Sequence, residues 1–404
     1  MMLTRAFKTR AFTLIWTGQT LSRIGDFLYQ VTLAWWVLQK TGSATAMATV
    51  LIFAFTPMLL FLLLGGAAGD RLPQVPLMLL SDLGRGLVVT VVALLAFAQL
   101  LELWHVYVAS LIFGFVDAFF QPAYMALVPE VTPVDDLPSA NALTSMGVQG
   151  ARIIGPPLGA GIIALAGTAP GFAINAATFF VSALCLLPLL KGSARPAAGS
   201  GAATSILCDV REGIGMVLST PWLWITIALF AVTNVTLAGP YQVAIPFLVK
   251  DHYRADVRML GVLYAAFPVG YILGGLWIGR FRRVRHRGWI IYLGIMVAGL
   301  GMLALGLPVP IAVALVAAVI NGAALEIGNL IWVNLMQELV PNERLARISS
   351  IEMLGSFALL PVGIGLTGWA TDILGPATVC ILGGAITMVA ALLGLLHPVI
   401  RRLD

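Results

Sequence analysis

Charge is what this chain has least of. Only 10% of its 404 residues are Asp, Glu, Lys or Arg, while 60% are hydrophobic; soluble domains carry about 25% charged residues. No water-soluble fold hides that much apolar surface. Cysteine is scarce too. Cys185, Cys208 and Cys380 lie far apart, which excludes a disulfide framework and a thiol metal site. The four His residues, at 105, 252, 286 and 397, form no metal constellation. A phosphate-cradling G-x-x-x-x-G-K-[ST] loop is missing, so ATP hydrolysis by that route is excluded and no cofactor is expected. Any work must draw on a gradient or run downhill.

What the chain does have is apolar length. A membrane-crossing helix needs about 20 apolar residues. Twelve such segments can be drawn, at 11–39, 44–69, 76–100, 103–128, 139–166, 170–190, 220–249, 258–279, 288–307, 309–338, 345–371 and 375–397. The basic N-terminus leads into a segment too long and too polar in its middle for a cleaved signal peptide. Orientation follows from the basic residues, because cytoplasmic loops retain Lys and Arg. Of the 23 Lys and Arg, Lys40, Lys250, Arg254 and Arg258 fall in loops on one side, Arg23, Arg85 and Arg152 lie inside spans, and all others fall on the opposite side or at the termini. Both termini are therefore expected in the cytoplasm. The net charge of +5 reflects topology and not a nucleic-acid surface.

One interior stretch breaks the pattern. Residues 191–212 are rich in Gly, Ala, Ser and charge and read as a flexible cytoplasmic linker between six-helix bundles at 1–190 and 213–404. Short echoes support two repeats. Tyr29-Gln30-Val31 recurs as Tyr241-Gln242-Val243, Leu127-Val128-Pro129 as Leu339-Val340-Pro341, and Phe55-Thr56-Pro57 is echoed by Ala266-Phe267-Pro268, all at offsets of 211 to 212. Parallel repeats of this kind place a binding site at their interface near the midplane.

Five charges sit near the middle of these segments: Arg23, Asp26, Asp117, Arg152 and Glu326. Each costs about 2.5–3.5 kcal/mol at the centre of a bilayer on insertion scales, so keeping them calls for a reason. At about 1.5 Å per residue they share one layer, about 16–22 Å from the cytoplasmic ends of their helices. Arg23 and Asp26 are neighbours on one helix face, and Asp117 and Arg152 are close enough in depth to pair between helices four and five. Such pairs could be purely structural. Glu326 differs, because no Lys or Arg lies at that depth in the second half, and the repeat offset sets Asn329 against Asp117. It is the first candidate to carry a proton or meet a cationic substrate, and Asp26 is the second. Gln19, Tyr29, Gln30, Phe120, Gln121, Gln149, Asn234, Tyr241, Gln242, Asn329 and Trp332 surround this layer, a mixture of amides and aromatics suited to an amphipathic organic molecule.

Several motifs carry a family resemblance. Gly66-Ala67-Ala68-Gly69-Asp70-Arg71, followed by Asp82 and Arg85 in helix three, looks like the G-x-x-x-D-R signature of the major facilitator superfamily. Gly147, Gly150, Arg152 and the run Gly155-Pro156-Pro157-Leu158-Gly159 are similar to its antiporter motif in helix five. Phe119-Phe120-Gln121-Pro122, Pro129, Leu137 and Ala140-Asn141 resemble the branch that holds macrolide-efflux and enterobactin-exporter proteins. The resemblance implies an all-α membrane fold of twelve helices in two six-helix repeats, and a cytoplasmic gate in which Asp70 pairs with Arg85 or caps a helix. Two departures stand out. Leu72-Pro73-Gln74-Val75-Pro76 replaces the expected Gly and basic residues, and the matching loop of the second half has Gly279 in place of Asp70.

The expected activity is thus secondary transport, not catalysis: proton-coupled efflux of amphipathic organic compounds such as drugs or siderophores, by a monomer whose partners are its substrate, protons and the bilayer. Export is implied by the resemblance. An uncoupled or symport carrier of a metabolite, sugar or lysolipid stays open, as does a non-transporting receptor. An intramembrane hydrolase lacks a nucleophile and a His base.

Overall fold

The computed structural model describes residues 4–192, 214–281 and 284–404, without the side chains of 62–71, 191–192, 342–343 and 346–347. Cys208 and most of the expected linker lie outside the described residues. Helices account for all regular structure among the described residues. In chain order they are α1 (Arg10–Thr41), α2 (Ala44–Arg71), α3 (Gln74–Phe97), α4 (Leu103–Val131), α5 (Leu137–Ala166), α6 (Thr168–Leu186), α7 (Pro221–His252), α8 (Val257–Ile278), α9 (Arg287–Gly306), α10 (Ile311–Leu339), α11 (Asn342–Phe357), α12 (Leu360–Leu374), α13 (Pro376–Leu396) and the short α14 (Pro398–Arg401).

Eleven described segments are long and apolar enough to cross a membrane, with α11 and α12 counted in one. The twelfth expected span is α1, 32 residues long. Gln19, Arg23, Asp26 and Gln30 hold its hydropathy down. Of these polar residues Gln19 is buried, and Arg23, Asp26 and Gln30 are half-buried.

Two expected helices are not continuous α-helix. The segment expected at 345–371 is split between α11 and α12. Pro361 supplies no N–H to the carbonyl of Phe357, and its ring crowds that carbonyl, so the ladder breaks at residues 358–359. In α7, Pro240 and Pro246 likewise remove two ladder bonds, and the chain widens into π turns at Asn234–Ala238 and Leu248–His252. The Asn234 side chain donates to the carbonyl of Ser356 at 2.8 Å, and Thr236 bonds Thr387 through their hydroxyls at 2.6 Å.

The chain forms two compact units. The first comprises Met1–Gly42, Thr49–Ser200 and Asp256–Ala265, and the second Ser43–Ala48, Gly201–Ala255 and Ala266–Asp404. Within the first, α1 packs against α5 and α6, and α3 against α4 and α6. Within the second, α7 packs against α12 and α13, and α9 against α10 and α13. The same arrangement of neighbours is built twice, consistent with two repeats.

Lipid is as apolar as Leu, so helices in a bilayer associate through close fit and not by excluding water. Gly155 and Gly159, four apart on α5, bring that helix onto the backbone of α1 at Ile24 and Leu28. A Cβ at Gly155 would stand 2.8 Å from the Ile24 carbonyl oxygen and 2.7 Å from the Phe27 Cβ. The helix-five motif is therefore a packing surface for α1. Gly150, on the same helix, faces open space. Gly155→Ala is expected to lower stability by about 1–3 kcal/mol through overpacking, whereas Gly150→Ala leaves it unchanged; thermal unfolding of the purified protein in detergent distinguishes the two.

Candidate functional site

The strongest polar constellation lies inside the first unit, on residues the sequence assigned elsewhere. Asp82 and Arg85, one turn apart on α3, are 0% and 3% exposed. Arg85 Nη2 donates to Asp82 Oδ1 at 2.6 Å and Nη1 to Asp117 Oδ1 on α4 at 3.3 Å. The other Asp82 oxygen accepts from Ser182 Oγ at 2.7 Å and Gln19 Nε2 at 3.5 Å, and Gln19 also donates to Ser182 at 2.9 Å. The guanidinium lies 4.0 Å from the centre of the Phe120 ring, 4.7 Å from Phe179 and 5.7 Å from Phe113. Four helices, α1, α3, α4 and α6, thus converge on one buried cation.

This geometry corrects several expectations. Asp82 and Arg85, expected in the cytoplasmic gate, are enclosed within the unit and paired with each other, and only the Arg85 Nε is left without a protein partner. Gly66, Asp70 and Arg71 fall in the part of α2 whose side chains lie outside the described residues, so a partner for Asp70 is not described, while Arg85 is already engaged. Asp117 pairs with Arg85 and not with Arg152, whose guanidinium lies 5.7 Å from the Phe27 ring centre. Arg23 faces the Tyr124 ring at 5.5 Å and makes no ion pair with Asp26 among the described residues. Gln19 and Phe120, expected in a substrate cavity, are buried around Arg85. Trp332 is also withdrawn from a cavity, packed in the core of the second unit against Trp222 and Phe230.

Asp26 stands beside this cluster. Its Oδ1 is sealed from solvent and bonds no protein group. Of the charges acting on it, Arg85 acts most strongly, ahead of Asp117, Arg23 and Asp82. Tyr29, one turn along α1, lies between Phe113 and Phe172, and Gln149 Oε1 on α5 is another buried acceptor without a protein partner. Gln30, Gln121 and Gln242 are half-buried. Asn234 is tied to α11, and Tyr241 lies against Phe267, 5.5 Å between ring centres.

Glu326 belongs to the second unit. It is 9% exposed, and no basic side chain pairs with it among the described residues. Its partners are neutral: Asn329 Nδ2 donates to Oε2 at 3.2 Å, and the Tyr271 hydroxyl bonds the same carboxylate. Asn329, offset-matched to Asp117, is thus the immediate neighbour of Glu326, and it also donates to Tyr271 at 3.2 Å. A second carboxylate in this unit escaped the sequence reading. Glu352 lies within the span Ile348–Leu374 and accepts from Ser356 Oγ at 3.3 Å. Its place in the apolar run Ile351 to Leu354 was the available signal.

The family described as transmembrane secretion effectors matches residues 4–404. The chain belongs to this family of major facilitator transporters. Among its relatives, macrolide efflux protein A of Streptococcus pyogenes is 22% identical over 400 residues, covering 97% of both chains. The enterobactin exporter EntS of Citrobacter koseri is 24% identical over 393 residues, covering 97% of this chain and 93% of its own. The crystal structure of the nucleoside transporter NupG superposes with a TM-score of 0.75 at 14% identity, covering 96% and 98% of the two chains, and supports the fold alone. The resemblance read from the motifs therefore holds, and the protein is a multi-pass membrane transporter rather than an enzyme.

For this transporter the Asp82–Arg85 pair is a constraint on stability. Removing one partner of a buried pair strands a charge and costs about 3–5 kcal/mol, whereas removing both is far milder. Arg85→Gln alone is expected to destabilise the detergent-purified protein by that amount, and the double variant D82N/R85Q to recover most of the loss in thermal unfolding.

Proposed function

We propose that the transporter is a proton-coupled exporter of amphipathic organic compounds, working by alternating access in the cytoplasmic membrane as a monomer with both termini in the cytoplasm. The observation that carries the coupling is Glu326. It is a carboxylate within a membrane-crossing helix, and its described hydrogen-bond partners, Asn329 and Tyr271, are uncharged. Neutral partners of this kind tolerate both protonation states, because Tyr271 donates to the anion and accepts from the acid. A carboxylate locked to an arginine has no such freedom. Asp26 is the second proton carrier, since its Oδ1 is enclosed without a protein donor.

The efflux and export relatives support the direction and the kind of cargo. The cargoes their names give, a macrolide and enterobactin, are organic molecules and not inorganic ions. Tyr29, Gln30, Gln121, Gln149, Asn234, Tyr241 and Gln242 are the proposed contacts for such a molecule, with rings for its apolar faces and amides for its polar edge. The positive-inside count supports the assignment of the termini.

Purified protein in liposomes tests the proposal with a panel of erythromycin, ethidium and enterobactin. A proton gradient imposed against the direction of export is expected to drive uphill movement of at least one of them. Glu326→Gln is expected to abolish the gradient-driven part while leaving exchange at equal concentrations intact. Gradient-driven transport that survives Glu326→Gln at the wild-type rate shifts the coupling to Asp26. Flux that ignores the proton gradient identifies an uncoupled carrier, and absence of any flux counts against transport of this substrate class.

A further inference from the structure

Among the buried polar atoms of the first unit that bond no protein group are two of opposite kind, Arg85 Nε, a donor, and Asp26 Oδ1, an acceptor. They adjoin one another in the fold: Tyr29, one turn along α1 from Asp26, stacks on Phe113, one of the three rings around the Arg85 guanidinium. The two arms that hold Arg85 are unequal. Asp82 is fully enclosed and receives Arg85, Ser182 and Gln19 together, so it is the fixed anchor. Asp117 is 20% exposed and receives Arg85 at the longer distance of 3.3 Å, so it is the arm that releases.

We infer that Arg85 is a mobile counter-ion that exchanges Asp117 for Asp26 when Asp26 gives up its proton, keeping Asp82 throughout. The O–H bond of Asp26 breaks, the proton passes to water, and the carboxylate so formed receives the guanidinium. The proton count of the cluster sets which pair forms, since three carboxyl groups share one enclosed guanidinium. The faces of Phe113, Phe120 and Phe179 carry the cation in either position, so the exchange needs no return to water. Arg23 does not compete, with its guanidinium over Tyr124. The remaining polar groups near Asp26 are Tyr29 on its own helix and Asn175 and Thr178 on α6, which meet α1 at Gly25. Asn175 Nδ2 is itself buried without a protein acceptor.

The exchange joins α1 to α3 in one protonation state and α4 to α3 in the other. Arg85 is thereby a positioning residue that converts proton release on α1 into a changed tie between helices.

This inference rests on the proposal that Asp26 exchanges a proton. Infrared difference spectra of the purified protein in lipid, recorded without substrate from mildly acidic to mildly alkaline pH, test it. The protonated-carboxyl band of Asp26 is assigned by its loss in Asp26→Asn, and the Arg85 guanidinium bands by their loss in Arg85→Lys. As the Asp26 band disappears, the guanidinium bands are expected to shift with the same midpoint, and to stay fixed in Asp26→Asn. If Arg85→Lys does not fold, wild-type protein labelled with 15N-arginine, compared with Asp26→Asn, supplies the same assignment. An Asp26 band that titrates while the guanidinium bands stay still overturns the exchange and leaves proton exchange at Asp26 standing. No change in an Asp26 band overturns both.

Discussion

The bond between Asp82 and Arg85 is the constraint on which the first unit depends. An arginine 3% exposed has no water to fall back on, so the surrounding helices must supply its anions and faces. α3 provides Asp82, α4 provides Asp117 and Phe120, α6 provides Ser182 and Phe179, and α1 provides Gln19. The glycine contacts then acquire a purpose. Gly25, Gly155 and Gly159 draw α5 and α6 onto α1, fixing the polar residues of α1. The polar residues of α1 are accommodated by these contacts, with Gln19 and Ser22 buried.

The second unit repeats the helix neighbours and drops the cation. Glu326 has Asn329 and Tyr271 where the first unit has an arginine. Two solutions to the cost of a buried carboxylate therefore stand in one chain, ionic in one unit and neutral in the other. In the proposed mechanism the ionic one holds helices together and changes partner, whereas the neutral one exchanges a proton with little rearrangement. On this account the difference between the repeats is a division of labour.

Much of this was legible in the sequence for identifiable reasons. The scarcity of charge, the length of the apolar runs and the echoes at offsets of 211 to 212 residues implied a duplicated helical membrane protein. Glu326 stood out because nothing basic lay near its depth. The first-unit pairing was misread because depth along a helix does not reveal the direction a side chain faces. Asp117 and Arg152 share a depth, yet α4 turns Asp117 towards α3. Asp82 and Arg85 were assigned to a cytoplasmic gate through the motif that precedes them; their burial was not legible, with Arg85 eleven residues into α3, about 16 Å along the helix at 1.5 Å per residue. Glu352 and the break before Pro361 were visible as a lone acid and a lone proline in apolar surroundings.

The central claim is that cargo and protons compete through intramembrane carboxylates. Its most direct test is proton release by the purified protein in weakly buffered solution on addition of erythromycin or enterobactin. The account predicts that at least one of these releases protons, and that the release is lost when Asp26 and Glu326 are replaced together by Asn and Gln. Saturable binding of either compound with no proton released, or release that survives the double replacement unchanged, contradicts it.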